Sequence, residues 1–178
     1  VNDGNLLILG GGRCSVGIES TIVAATNPEG YQILRQGMIN EEMLRQVLPG
    51  QELPRDTHIR VSGNLETHYQ PQKPLHYFTQ LETAKQLCIN QQNVFMLSLQ
   101  ENNEINALFS YQLTDNPDTA AYELYYQLRE ADRSSATTIL IELPPDTPAW
   151  KGCRERIIKA GKNLDIAENF RQNSMKFA

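Results

Sequence analysis

Apolar residues in the first fifty positions fall into short runs broken by glycine and proline. Leu6-Leu7-Ile8-Leu9, Thr21-Ile22-Val23-Ala24-Ala25 and Tyr31-Gln32-Ile33-Leu34 predict strands over residues 6–9, 21–25 and 31–34, the last two joined by Asn-Pro-Glu-Gly turn chemistry. A short helix follows, with Asn40 placed to cap its exposed N–H groups and Glu41 and Glu42 at the positive end of its dipole. Roughly 50 residues with this content cannot enclose a core, because so small a unit leaves too much apolar surface in water. The front segment therefore needs a partner surface.

Between residues 49 and 74 the pattern changes: prolines at 49, 54, 71 and 74, glycines at 50 and 63, and little apolar periodicity. This reads as a linker, semi-rigid at its proline end, that either lies over another surface or is mobile. From Leu75 the alternation becomes regular. Strands are predicted over residues 75–78, 94–99, 107–113 and 138–143, and helices at 81–88, after the Asn116-Pro117 cap, and from Pro148. In the second helix Ala121, Leu124, Tyr125 and Leu128 recur at the spacing of one buried face; in the last, Trp150, Cys153 and Ile157 share a side. The tail from Lys162 reads as a helix, frayed or packed. Strands alternating with helices predict an α/β fold with an open, largely parallel sheet flanked by helices.

Composition narrows the function classes. The chain has 178 residues, 40% of them hydrophobic, without an apolar run long enough to cross a bilayer or a secretory signal at its start. The net charge of −5 is spread evenly, −2 over residues 1–74 and −3 over 75–178, so neither half advertises nonspecific nucleic-acid binding. Cys14, Cys88 and Cys153 are odd in number and far apart, which fits a reducing cytoplasm better than a disulfide framework. His58, His68 and His76 have no metal-cage spacing, so no metal ligand is assigned.

Candidate chemistry sits at strand ends. The Gly12 to Gly17 spacing matches the glycines of a phosphate loop, but Ile18-Glu19 stands where Lys-Ser/Thr is needed and β-formers follow, so the run reads as a structural turn. Ser20 and Thr21 sit where the chain enters a strand, able to cap a turn or face a carboxylate or phosphate; without an adjacent base neither is a nucleophile, and no catalytic residue is assigned. Arg35 closes the next strand before Gly37 and reads either as a solvated charge or, if the neighbouring cleft is open, as a guanidinium fork suited to a phosphate. The last helix carries Lys151, Arg154, Arg156, Lys159 and Lys162 against Glu155 alone, which reads as a solvated face with charges complementing the helix dipole, the alternative being RNA contact. Tyr122, Tyr125 and Tyr126 read as core and rim packing.

The segments "GRCSVGIESTIV", "YQILRQGMI", "SGNLETHYQPQKPL", "AYELYYQLREADRSSATTILIELPP" and "ERIIKAGKN", in this order, resemble the later half of the two-domain YrdC-type threonylcarbamoyl-AMP synthases. The resemblance implies three parts: residues 1–48 as the trailing strands of an incomplete YrdC-like catalytic domain, 49–74 as linker, and 75–178 as a Rossmann-like domain. It implies a cytoplasmic enzyme joining threonine, bicarbonate and ATP, with Mg2+, into threonylcarbamoyl-adenylate, which a tRNA-modifying complex then consumes. By motif, Ser20 would contact threonine, Arg35 an ATP phosphate, and Tyr69, on a linker crossing the cleft, the nucleotide. Gly10 replaces the family's aspartate and Ser62-Gly63-Asn64 its Ser-Pro-Gly. Its Lys-x-Arg and Ser-x-Asn nucleotide segments are not found, so the chain is expected to be a fragment, inactive alone, whose exposed strand edges invite pairing into a homodimer. The rival readings are a non-catalytic nucleotide- or protein-binding regulatory module and an RNA-binding module.

Overall fold

The structure, a computed structural model, describes residues 7, 9–12, 14–56, 58–62, 70–90, 93–101 and 105–165. Two sheets organise them. The first contains β1 (Ile22–Asn27), β2 (Gly30–Arg35) and the two-residue β3 (Gln51–Glu52), with β1 antiparallel and β3 parallel to β2. Between β2 and β3 lies α1 (Glu41–Arg45), capped as its sequence predicts: Asn40 Oδ1 accepts from the Met43 N–H at 3.0 Å. The expected strand over residues 6–9 is not seen at its described positions, since Leu7 and Leu9 lie outside any strand and are more than four-fifths exposed. An apolar run without a pairing neighbour has no reason to stay extended.

The second sheet has five strands in the order β6-β5-β7-β4-β8, every pair parallel. They are β4 (Leu75–Phe78), β5 (Val94–Ser98), β6 (Phe109–Gln112), β7 (Thr138–Glu142) and β8 (Lys162–Asn163). Helices α2 (Leu81–Asn90), α3 (Pro117–Arg133) and α4 (Lys151–Ala160) connect them, α4 being entered through a 3-10 turn at Pro148–Trp150. The tail read as helical from Lys162 instead begins with the short strand β8, which gains backbone bonds by pairing with β4. The sheet is thus wholly parallel, as expected of crossovers by helices. The path β4–α2–β5 steps across the sheet one way, while β6–α3–β7 and β7–α4–β8 step the other. Because such crossovers are right-handed, α2 falls on one face and α3 and α4 on the opposite face.

Strand alternation distributes the core accordingly. Val94, Met96, Leu140 and Phe78 meet Ala84 and Cys88 of α2; Phe95, Leu97, Ile139 and Ile141 meet Leu124 and Leu128 of α3 and Cys153 and Ile157 of α4. The three-stranded sheet has a much smaller core of its own, built on Tyr31, Ile33 and Leu44. It obtains further burial by leaning on α3 and α4: Ile18 enters the larger core and Met38 packs against it. Contact there is backbone-close. A Cβ on Gly152 of α4 would lie 2.9 Å from the Gly37 carbonyl oxygen. Among the described residues no helix is long and apolar enough to cross a membrane.

The linker is fixed at both described ends. Its start follows the front sheet, with Asp56 N–H donating to Gln32 Oε1 at 3.0 Å. At its end the Gln72 and Lys73 N–H groups donate to the Asp132 carboxylate, both at 3.1 Å, and Lys73 Nζ donates to the carbonyls of Ala131 and Ser134. A cation is well placed there, against the carbonyl end of the dipole of α3.

Candidate functional site

The antiparallel pairing of β1 and β2 sets Ile22 opposite Arg35, which brings the start of one strand and the finish of the other to the same edge. Ser20 and Arg35 meet there. The Arg35 guanidinium donates from Nε to the Ser20 carbonyl at 3.0 Å and from Nη2 to Ser20 Oγ at 3.2 Å. Its Nη1 donates to the carbonyl and hydroxyl oxygens of Ser62 at 3.0 and 3.2 Å, so the linker is held on the same fork. Thr21 behaves differently: its hydroxyl donates to the Ile39 carbonyl at 2.7 Å and serves the loop after β2. Tyr69 lies outside the described residues, as does His68.

Arg35 is 7% exposed, while Ser20 faces solvent. A guanidinium has five donor hydrogens, and the four bonds leave one on Nη2. All its described acceptors are neutral oxygens, so the positive charge is not compensated by a carboxylate among the described residues. Because Ser20 Oγ accepts from Arg35, its own O–H is left to donate outward. One outward O–H beside an uncompensated cation suits a carboxylate or phosphate. No imidazole or carboxylate bonds to Ser20 Oγ among the described residues, so the hydroxyl is a binding group, not an activated nucleophile.

Behind this edge stands a second layer that the sequence reading missed. Arg156, expected on a solvated helix face, is 1% exposed. Its Nε and Nη2 each donate to Glu19 Oε2 at 3.2 Å, and its Nη1 donates to the Gln36 carbonyl. Tyr125 Oη also donates to Glu19 Oε2, at 3.1 Å, and the Gln36 N–H donates to Glu155 Oε2 at 2.9 Å. The other cations of α4 are likewise paired: Lys151 with Glu41 at 3.0 Å, Lys159 with Glu155 at 2.6 Å, and Arg154 with Asp146 at 3.4 Å. The signal was present in the spacing. Cys153, Arg156, Ile157 and Ala160 stand at i, i+3, i+4 and i+7, so Arg156 occupies the buried stripe of the helix.

The electrostatics agree with this layout. Partial burial would raise the Glu19 carboxyl, but its backbone hydrogen bond, the Arg156 charge and the Arg156 and Tyr125 bonds together hold it below the usual carboxylate range. Glu19 is therefore a fixed anion at neutral pH, matched to Arg156. Burial pushes the Cys153 thiol up to about 11 and raises that of Cys88, leaving both protonated and unreactive.

Cavities lie around α3. One of about 330 Å³ touches Glu19, Gln70, Tyr125 and Arg129; another, of about 590 Å³, opens at the carboxyl ends of β5 and β6. Ser20 and Arg35 line neither of these. Among the described residues no cluster of three or more His, Cys, Asp or Glu could hold a metal ion.

A family model described as threonylcarbamoyl-AMP synthase, C-terminal domain, matches residues 39–161, beginning just after Arg35. Two solved structures are similar in fold. A crystal structure of P. abyssi Sua5 complexed with L-threonine superposes with a TM-score of 0.67 at 20% identity, covering 86% of this chain and 49% of that one. A P. abyssi Sua5 variant with an adjacent His and Tyr replaced by Ala gives a TM-score of 0.64 at 18% identity, covering 84% and 47%. The chain thus spans about half the length of the proteins it matches. Among curated proteins none matches.

Proposed function

Since the chain belongs to the family of the threonylcarbamoyl-AMP synthase C-terminal domain, we propose that it is the later half of an enzyme that condenses threonine, bicarbonate and ATP into threonylcarbamoyl-adenylate and pyrophosphate. The observation that carries this reading is the Ser20–Arg35 edge: a buried guanidinium whose acceptors among the described residues are neutral, with one O–H and one N–H that have no acceptor among those residues where the two strands meet. In this reading the Ser20 hydroxyl donates to the threonine, and Arg35 holds Ser20 in place while its charge steadies a phosphate of ATP. Neither forms a bond to substrate. Adenylate formation depends largely on positioning and charge neutralisation, for which these side-chain types suffice.

Several features support the proposal. P. abyssi Sua5, similar in fold, is complexed with L-threonine. The adjacent His and Tyr replaced in its variant have the same order as His68-Tyr69 here, and Tyr69 is assigned to the nucleotide by the motif resemblance. Leu7, Leu9 and Val47 are 83%, 85% and 75% exposed, apolar side chains that further YrdC-like structure would cover. The division into a catalytic portion at 1–48, a linker at 49–74 and a Rossmann-like domain at 75–178 follows, with the product passed to a tRNA-modifying complex in the cytoplasm. The described residues do not fit a magnesium site: the carboxylate nearest in sequence, Glu19, is engaged by Arg156 and Tyr125. No step is assigned to a metal.

The test is pyrophosphate release dependent on both threonine and bicarbonate. The full-length protein containing this chain is expected to show it and the 178-residue chain to lack it. Absence of turnover in the full-length protein, or full turnover by the chain alone, contradicts the proposal.

A further inference from the structure

Ser20 and Arg35 are each flanked by a residue gripped from outside the front sheet. Glu19 precedes Ser20 and Gln36 follows Arg35, and one guanidinium from α4 holds both: Arg156 donates to Glu19 Oε2 twice at 3.2 Å and to the Gln36 carbonyl. The neighbouring Glu155 closes the ring by accepting the Gln36 N–H at 2.9 Å. We propose that Arg156 is a positioning residue for the substrate edge, setting the separation of Glu19 and Gln36 and through them the alignment of the Ser20 hydroxyl with the Arg35 fork. The inference rests on the proposed threonine- and ATP-binding role of that edge.

Three facts make this more than a packing contact. The partners are 137 and 120 residues away in sequence, so local chain preference cannot supply the alignment. Arg156 is almost wholly covered, and the planar fork bridges a carboxylate and a carbonyl at once, which a lysine ammonium on its flexible stem cannot reproduce. The grip falls on the peptide units on either side of the binding pair, on a helix whose other end abuts Gly37 through Gly152. The five-stranded unit is thereby a structural member of the substrate edge and not an appendage to it.

The test compares Arg156→Lys, Arg156→Ala and Ile157→Ala in the full-length protein, each below its melting temperature. Ile157 is on the same helix and 1% exposed, but its apolar side chain packs in the larger core and can make no hydrogen bond to the edge. Both Arg156 variants are expected to bind L-threonine about tenfold to a hundredfold more weakly, with KM raised more than kcat is lowered, Lys being the milder. Ile157→Ala should lower the melting temperature at least as much, with threonine affinity within about twofold of wild type. A second readout is independent of activity: solvent exchange of the Arg35 Nε–H, which should speed up in the Arg156 variants and not in Ile157→Ala. If wild type binds no threonine while exchange responds as stated, the functional reading fails and the positioning role stands. Should Arg156→Lys keep both wild-type affinity and slow exchange, or Ile157→Ala shift both equally, the positioning role is overturned.

Discussion

An Arg35→Ala protein is expected to melt about 5–10 °C below wild type, the size of shift that a loss of roughly 2–3 kcal/mol produces in a chain of this length. Four hydrogen bonds leave together, two to Ser20 and two to Ser62. The orphaned carbonyls must then find water at a place where the departing side chain was 93% covered, judged from its 7% exposure. Binding suffers more than stability. With the fork gone, Ser20 Oγ loses the donor that orients it, and the linker loses its hold at Ser62, so ATP and threonine affinity should each fall at least about tenfold. Arg35→Lys should not restore either property, because one ammonium cannot reach acceptors on both serines in the geometry of a planar fork. Calorimetric melting together with nucleotide titration checks both halves. A variant melting within a degree of wild type would remove the staple from the account.

A Gly17→Ala protein should be destabilised by about 1–3 kcal/mol, the usual range for overpacking and here at its upper end. An added Cβ would lie 2.4 Å from the Ala121 carbonyl oxygen and from the Tyr122 Cα, both backbone atoms of α3 that no rotamer change can move. Relief requires the segment before β1 to lift off the helix. Ile18 then leaves the larger core, and Glu19 is drawn away from Tyr125 and Arg156, so damage at Gly17 reaches the substrate edge. Limited proteolysis followed by mass mapping is the informative measurement. Cleavage between residues 14 and 22 should accelerate markedly while the strands of the five-stranded sheet remain protected. Unchanged cleavage there would show that the close approach is not a constraint.

The second sheet was legible because its signals are local. Continuous apolar runs such as Thr138–Glu142, the Asn116-Pro117 start of α3 and the spacing of Ala121, Leu124 and Leu128 each specify an element from a few neighbouring residues, and strand alternated with helix. The capped helix α1 and the pair β1 and β2 were equally local. What was not legible depends on partners far away in the chain. Leu7 and Leu9 read as strand but have nothing described to pair with; Lys162-Asn163 read as helix but pair with β4. Arg156 read as solvated because charged residues are seldom buried unless paired, and its partners Glu19 and Gln36 lie more than a hundred positions away. The meeting of Ser20 with Arg35 came from motif resemblance, whereas the role of Ser62 on the same fork needed coordinates.

The edge joining β1 and β2 is proposed as one wall of a threonine-binding pocket. Titration of L-threonine into the full-length protein and its Ser20→Ala counterpart by isothermal calorimetry tests it most directly. Ser20 is exposed, so the substitution should leave the melting temperature within about 2 °C of wild type, as expected for a surface position. Saturable binding is expected in the wild type, with at least a tenfold weaker constant in Ser20→Ala. Equal affinity in the two proteins would contradict the proposal.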